Sequence, residues 1–188
     1  MKKKYNFVII SFFKVTNPYS GASEISYNFF KNIPSKNKKL IQFSNIQQKE
    51  KQTETIIASS RVGKFFKIFK MANIVAKYCS NKKNSIIIVE GASWVGYTFL
   101  FYILTKNKVK NSKFIYHSHN IEFLLRKQKN NFLITFLTKY FEKYISRKFD
   151  IFTTVSHADK KKVKEIYNTK SILLPNGINP PKIKNIKE

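Results

Sequence analysis

The sequence predicts an α/β fold: a Rossmann-like parallel sheet with helices on both faces. Three observations carry that reading. Short β-branched runs alternate with helix-length stretches along the whole chain. The run Ser85-Ile86-Ile87-Ile88-Val89-Glu90 is apolar without alternation, as in a strand buried on both faces. Between the runs lie loops rich in Gly, Asn, Ser and Pro. At 188 residues and 43% hydrophobic, the chain can bury the core of one domain.

The first strand is Phe7-Val8-Ile9-Ile10, which leads through the turn-rich Asn17-Pro18-Tyr19-Ser20-Gly21 into a helix from Ala22 to Asn32. Lys2-Lys3-Lys4 before an apolar run resembles a signal peptide but lacks a small-residue cleavage site. Lys39 to Phe43 and Thr55 to Ser59 are short strands, and Arg61 to Ser80 is a long helix. After the Ser85 strand come a helix from Trp94 to Lys106, the strand Lys113 to His119, and a helix from Phe132 to Phe149. The strand Ile151 to Val155, a helix from Ala158 to Tyr167 and the strand Ser171 to Leu174 complete the alternation. The longest uncharged stretch, Gly91 to Thr105, is 15 residues, short of the roughly 20 that span a bilayer.

In open parallel sheets, ligands bind at the carboxyl ends of the strands where the strand order reverses, so the loops after the strands are where function is sought. In the first of these, Gly21 either lets a phosphate or sugar approach a helix N-terminus or, with Ser23, simply shapes and caps it. The others are Glu90-Gly91-Ala92-Ser93, His117-Ser118-His119-Asn120-Ile121-Glu122, Ser156-His157-Ala158-Asp159 and Pro175-Asn176-Gly177-Ile178-Asn179-Pro180-Pro181. His117 and His119, two apart on a strand, point the same way and invite a divalent ion. A third ligand is not evident beyond Glu90, Glu122 or the distant His157, and no metal is expected. The single Cys79 excludes an internal disulfide, places the chain in a reducing setting, and reads as packing rather than nucleophile. Trp94 reads as core or cleft wall.

In chain order, Ser20-Gly21-Ala22-Ser23, Tyr116-His117-Ser118-His119-Asn120-Ile121-Glu122, Phe149-Asp150 through Val155-Ser156, and Leu174-Pro175-Asn176-Gly177-Ile178-Asn179 resemble the amino-terminal domain of family-4-like retaining glycosyltransferases of the GT-B fold. Ser20-Gly21 stands where that family usually has a double glycine. The resemblance implies a Rossmann-like, acceptor-side domain over residues 1–175 and the start of an interdomain linker over 176–188, with the carboxy-terminal domain absent. It implies transfer of a sugar from a nucleotide-sugar to a surface-polysaccharide or lipid-linked acceptor, without a cofactor. His119 would contact the transferred sugar or acceptor, and Glu122 would orient it or cap the next helix. Ser20, Gly21, Asn120, Ser156, Asn176 and Gly177 fall on the donor and acceptor loops, the last pair setting geometry. The family's second domain holds most of the donor site, so the isolated chain is expected to be inactive and to need that domain in cis or in trans.

The charge is the other prominent feature. With 36 Lys plus Arg against 10 Asp plus Glu, the net charge is +26, which first suggests nucleic acid. Only Arg61, Arg126 and Arg147 are arginines, however, and bidentate phosphate or guanine recognition favours Arg. Lys, Asn and Ile together make 75 of the 188 residues, as an AT-rich coding sequence would give. No specific nucleic acid is expected. On the helix Arg61 to Ser80, Val62, Phe65, Phe66, Ile68, Phe69, Ala72, Val75, Ala76 and Cys79 fall within one half of the wheel, with Lys64, Lys67, Lys70 and Lys77 opposite. The apolar half reads as the face packed on the sheet. The lysines would meet anionic headgroups, with Met71 and Ile74 inserting shallowly. A cytoplasmic protein, peripheral on the inner face of the plasma membrane, is expected. The competing readings are a non-catalytic subunit or remnant that binds a partner chain or membrane, and a basic nucleic-acid-binding domain.

Overall fold

Each of the seven strand runs forms in the computed structural model, which describes residues 5–80, 82, 84–128 and 132–176. The strands are β1 (Asn6–Ser11), β2 (Lys38–Ser44), β3 (Thr53–Ile57), β4 (Ser85–Glu90), β5 (Ser112–Ser118), β6 (Ile151–Thr154) and β7 (Ile172–Leu173). The helices are α1 (Gly21–Asn32), α2 (Arg61–Ser80), α3 (Val95–Thr105), α4 (Glu122–Gln128), α5 (Phe132–Lys148) and α6 (His157–Tyr167). All pairings are parallel, in the order β3-β2-β1-β4-β5-β6-β7. The order reverses at β1, so the loops after β1 and β4 face each other across the switch point.

Alternate residues of each strand serve opposite faces. Val8 and Ile10 join Ile41, Phe43, Ile87 and Val89 in the larger core, under α2, α3 and α5. Ile9, Leu40 and Ile88 face the other way, where Phe30 and Ile33, from α1 and the residue after it, cover them. The switch-point end is thereby built from two different layers.

Two differences from the sequence reading concern the helices. The sequence places Glu122 at the end of a loop and marks no element over 123–128, yet Glu122–Gln128 form α4, whose first backbone N–H groups are satisfied from 20 residues away: Glu122 and Phe123 donate to the Glu142 carboxylate at 3.0 and 2.9 Å. On α2, the buried stripe is Ile68, Met71, Ala72, Val75 and Cys79. That 3–4 spacing is the packed seam, narrower than half a wheel. Met71 is therefore core and does not lie on the lysine face, whereas Val62, Phe65, Phe66 and Phe69 are exposed. Ile74 is half-buried against the core.

Candidate functional site

Glu90 and His117 are register partners at the ends of β4 and β5, and His119 follows one residue beyond β5. Both strand-end side chains share the α1 face with Ile88 and Ile115. Glu90 is wholly buried. Its Oε2 lies 2.8 Å from His119 Nε2 and accepts from the Ser26 hydroxyl of α1 at 2.6 Å. A carboxylate can only accept, so Nε2 carries the proton and Nδ1 is the nitrogen left for a ligand. Burial alone would raise the Glu90 carboxyl. The His119 hydrogen bond, the neighbouring imidazoles and the Ser26 hydroxyl together outweigh it and hold the group below its ordinary value.

His117 supports this pair. Its ring stacks on Phe29 of α1 at 5.4 Å and meets the His119 ring edge-on at 4.9 Å. The Thr153 hydroxyl is within reach of the Tyr116 carbonyl at 3.4 Å, which leaves its oxygen to accept from His117 Nδ1 at 3.0 Å. Burial lowers the His117 pKa, favouring the neutral ring. Ligand atoms of Glu90, His117 and His119 all lie within 4.8 Å of one another, so of Glu90, Glu122 and His157, the candidates for a third group, it is Glu90 that joins the His-x-His pair. The direct Glu90–His119 bond occupies one candidate ligand atom from each of those two groups.

Two further polar atoms here have no partner among the described residues although buried: Glu90 Oε1 and Asn120 Oδ1. Such atoms are uncommon in folded proteins and mark places where a ligand or water completes the bonding.

The remaining candidates fall as follows. Ser20 is the N-cap of α1 in a capping box with Ser23, Ser23 N donating to Ser20 Oγ at 3.3 Å and Ser20 N to Ser23 Oγ at 2.9 Å. Gly21 opens α1, and a Cβ built on it would meet nothing within 4 Å. Gly91 is the opposite case: a Cβ there would stand 2.7 Å from the His117 carbonyl oxygen and 2.8 Å from the Tyr116 hydroxyl, so glycine is needed for β4 to leave beside β5. Glu122 pairs with Arg126 one turn along α4, and the acid that meets His119 is Glu90 instead. Ser156 is the N-cap of α6 and is bonded to Asp159. His157 is exposed at the start of that helix. Asn176 has a buried Oδ1 with no partner among the described residues, and Gly177 lies outside them, as does most of the 176–188 segment. Lys67, Lys70 and Lys77 are exposed on α2, but half-buried Lys64 turns inward and donates to the Phe12 carbonyl at 3.0 Å.

Three residues of this end were not picked out from the sequence as site residues. Ser26 and Phe29 belong to the α1 helical pattern. Glu142 is a lone acid in the apolar pattern of α5, without a local sign of its distant bonding.

No protein-family model matches the sequence, and no curated protein is significantly similar to it. Among solved structures, the fold is similar to that of an α,α-trehalose 6-phosphate synthase from Burkholderia multivorans, with a TM-score of 0.50 and 8% sequence identity. The match covers 88% of this chain and 43% of that chain. The likeness shows the fold alone: an α/β, Rossmann-like domain of the GT-B kind, spanning less than half of the structure it matches.

Proposed function

We propose that the chain is the amino-terminal, acceptor-side half of a family-4-like glycosyltransferase. It would move a sugar from a nucleotide-sugar to a surface-polysaccharide or lipid-linked acceptor. The observation that carries this reading is the Glu90–His119 pair at the carboxyl end of the switch point, with Glu90 Oε1 and Asn120 Oδ1 buried beside it and without a partner among the described residues. The fold supplies the place, and the polar groups supply hydroxyl recognition.

In this role His119 presents Nδ1 to a hydroxyl or phosphate oxygen, and Glu90 fixes the ring. Gly21 leaves open space at the start of α1, where backbone N–H groups favour a phosphate. The nucleotide half of the site comes from a second Rossmann-like domain, in cis or in trans. A bound metal or cofactor has no part in this reading. Among the described residues no helix is long and apolar enough to cross a membrane. The lysine face of α2 would hold the protein on the inner surface of the plasma membrane.

The test is transfer from a panel of labelled nucleotide-sugars into a membrane lipid and glycan extract, using the chain alone and with a nucleotide-binding GT-B domain added. Transfer that falls about tenfold to hundredfold in His119→Ala supports the reading. Absence of both transfer and acceptor binding across the panel overturns it.

A further inference from the structure

Two of the chain's three arginines line one apolar groove. The groove, about 540 Å³, opens beside the carboxyl ends of the strands on the α2–α3 side, the opposite layer from the Glu90–His119 pair. Its apolar wall is Val62, Phe65 and Phe66 of α2, with Trp94, Tyr97 and Ile134 across from them. Phe66 is 69% and Val62 68% exposed, which is costly surface to leave in water.

The cations complete the description. Arg61, Lys64 and Arg126 line the same groove. Arg126 is held by Glu122 on one side, its Nε and Nη2 both on Oε1. The exposed Arg61 guanidinium forms no ion pair among the described residues. Lys64 is half-buried beside it, and burial together with the Arg61 charge lowers its pKa. In a chain of 33 lysines, coding bias does not explain why Arg gathers here, and Arg is the side chain whose planar fork fits a phosphate.

We infer that this groove binds a phosphate-bearing amphiphile with a single long hydrocarbon tail, the tail along Phe65, Phe66 and Trp94 and the phosphate on Arg61 and Lys64. This rests on the transferase reading, for which it names the acceptor class: a lipid phosphate, held in a built groove rather than on the lysine face. An apolar trough with cations along its edge matches that one molecule at both ends. A volume of this size lies within the range of small-molecule sites. Gly96 is part of the construction, because a Cβ there would come within 2.7 Å of the Trp94 ring, which Thr138 anchors through Nε1 at 3.0 Å.

Trp94 is the only tryptophan, so its fluorescence reports the groove directly. The full chain is titrated with dodecyl phosphate, dodecyl maltoside below its micelle concentration, and inorganic phosphate. The expected result is a saturable blue shift with dodecyl phosphate, at least tenfold weaker binding of the maltoside, and no shift with inorganic phosphate. Arg61→Gln should weaken dodecyl phosphate about tenfold. Phe65→Ser/Phe66→Ser should abolish the shift with the fold intact by circular dichroism, since both side chains are exposed. Equal binding of the neutral amphiphile, a response to inorganic phosphate alone, or no saturable shift overturns the proposal. The readout needs neither donor nor turnover. Failure of the transferase reading therefore shows as absent transfer with the shift intact, and failure of the groove as the reverse.

Discussion

His119 Nε2 and Glu90 Oε2 stand 2.8 Å apart at the ends of adjacent parallel strands, with the carboxylate fully buried. The native carboxyl is held below its ordinary value, so its stabilising contribution is present above the unfolded pKa and disappears as pH falls through the native one. Glu90→Gln has no proton to take up. Thermal denaturation across pH should therefore show a shallower acid-side decline than in the parent, and a loss of about 1–3 kcal/mol at neutral pH from the disturbed buried bonds. Long-range proton–nitrogen spectra should show His119 losing its fixed Nε2–H tautomer. An unchanged tautomer together with an unchanged acid slope would count against Glu90 as the positioning residue.

Glu142 makes the opposite prediction. Burial lifts its carboxyl to about 7, despite bonds from the Tyr167 hydroxyl and the Phe123 and Glu122 N–H groups. Here the native state holds the proton more tightly than the unfolded chain does, so stability is greatest below the unfolded value and declines as pH rises toward 7. Glu142→Gln stays neutral while keeping an acceptor for α4. The difference in stability between parent and variant should move in the variant's favour from pH 4.5 to 7.5, read by chemical denaturation at intervals. Glu142→Ala leaves two N–H groups and a hydroxyl without their acceptor and should cost about 3 kcal/mol at about pH 4.5, a cost that shrinks toward pH 7.5 as the parent loses the stability linked to its raised carboxyl.

These two acids show where the sequence was legible and where it was not. Ile86, Ile87 and Ile88 announce a strand buried on both faces because a parallel sheet wraps it on both sides, and β4 forms there. The helix start after β1 was legible as a capped one through Gly21 and Ser23, but the N-cap itself is Ser20, and Ser156 caps α6, both residues that the sequence places on ligand-binding loops. What could not be read was settled by distance along the chain. α4 begins on a carboxylate 20 residues away, so no local cap marks it. His119 finds Glu90 rather than the nearby Glu122 because strand register, not sequence proximity, brings acid and imidazole together. The wheel of α2 misplaced Met71 and Phe66 because periodicity gives a direction but not how far the neighbouring layer extends.

Two glycines separate folding from ligand approach. Gly91→Ala places a methyl 2.7 Å from a backbone oxygen, so the chain should lose about 1–3 kcal/mol or more as β4 and β5 part, visible as a lower denaturation midpoint. Gly21→Ala meets open space at a helix start and should fold as well as the parent or slightly better. Any loss of nucleotide-sugar binding or transfer in that variant then reports on the backbone approach alone. Parent-like transfer would remove Gly21 from the phosphate contact.

The remaining lysines and the groove are separable surfaces. Lys67, Lys70 and Lys77 are exposed along α2 with Phe66 and Phe69 between them, a basic face carrying aromatic side chains. Each near-surface lysine adds about 1 kcal/mol on an anionic bilayer. Lys67→Glu/Lys70→Glu/Lys77→Glu should therefore lower sedimentation with phosphatidylserine vesicles at least tenfold, and raising the salt concentration should weaken the parent's binding in the same way. Neutral vesicles should bind both poorly. None of these three lysines lines the groove, so the triple variant should still give the full Trp94 shift with dodecyl phosphate. Arg61→Gln should do the reverse, keeping vesicle binding to within a few-fold while weakening the amphiphile. If one set of substitutions removed both behaviours, the basic face and the groove would be a single membrane-binding surface, and the assignment of a separate acceptor site would fall.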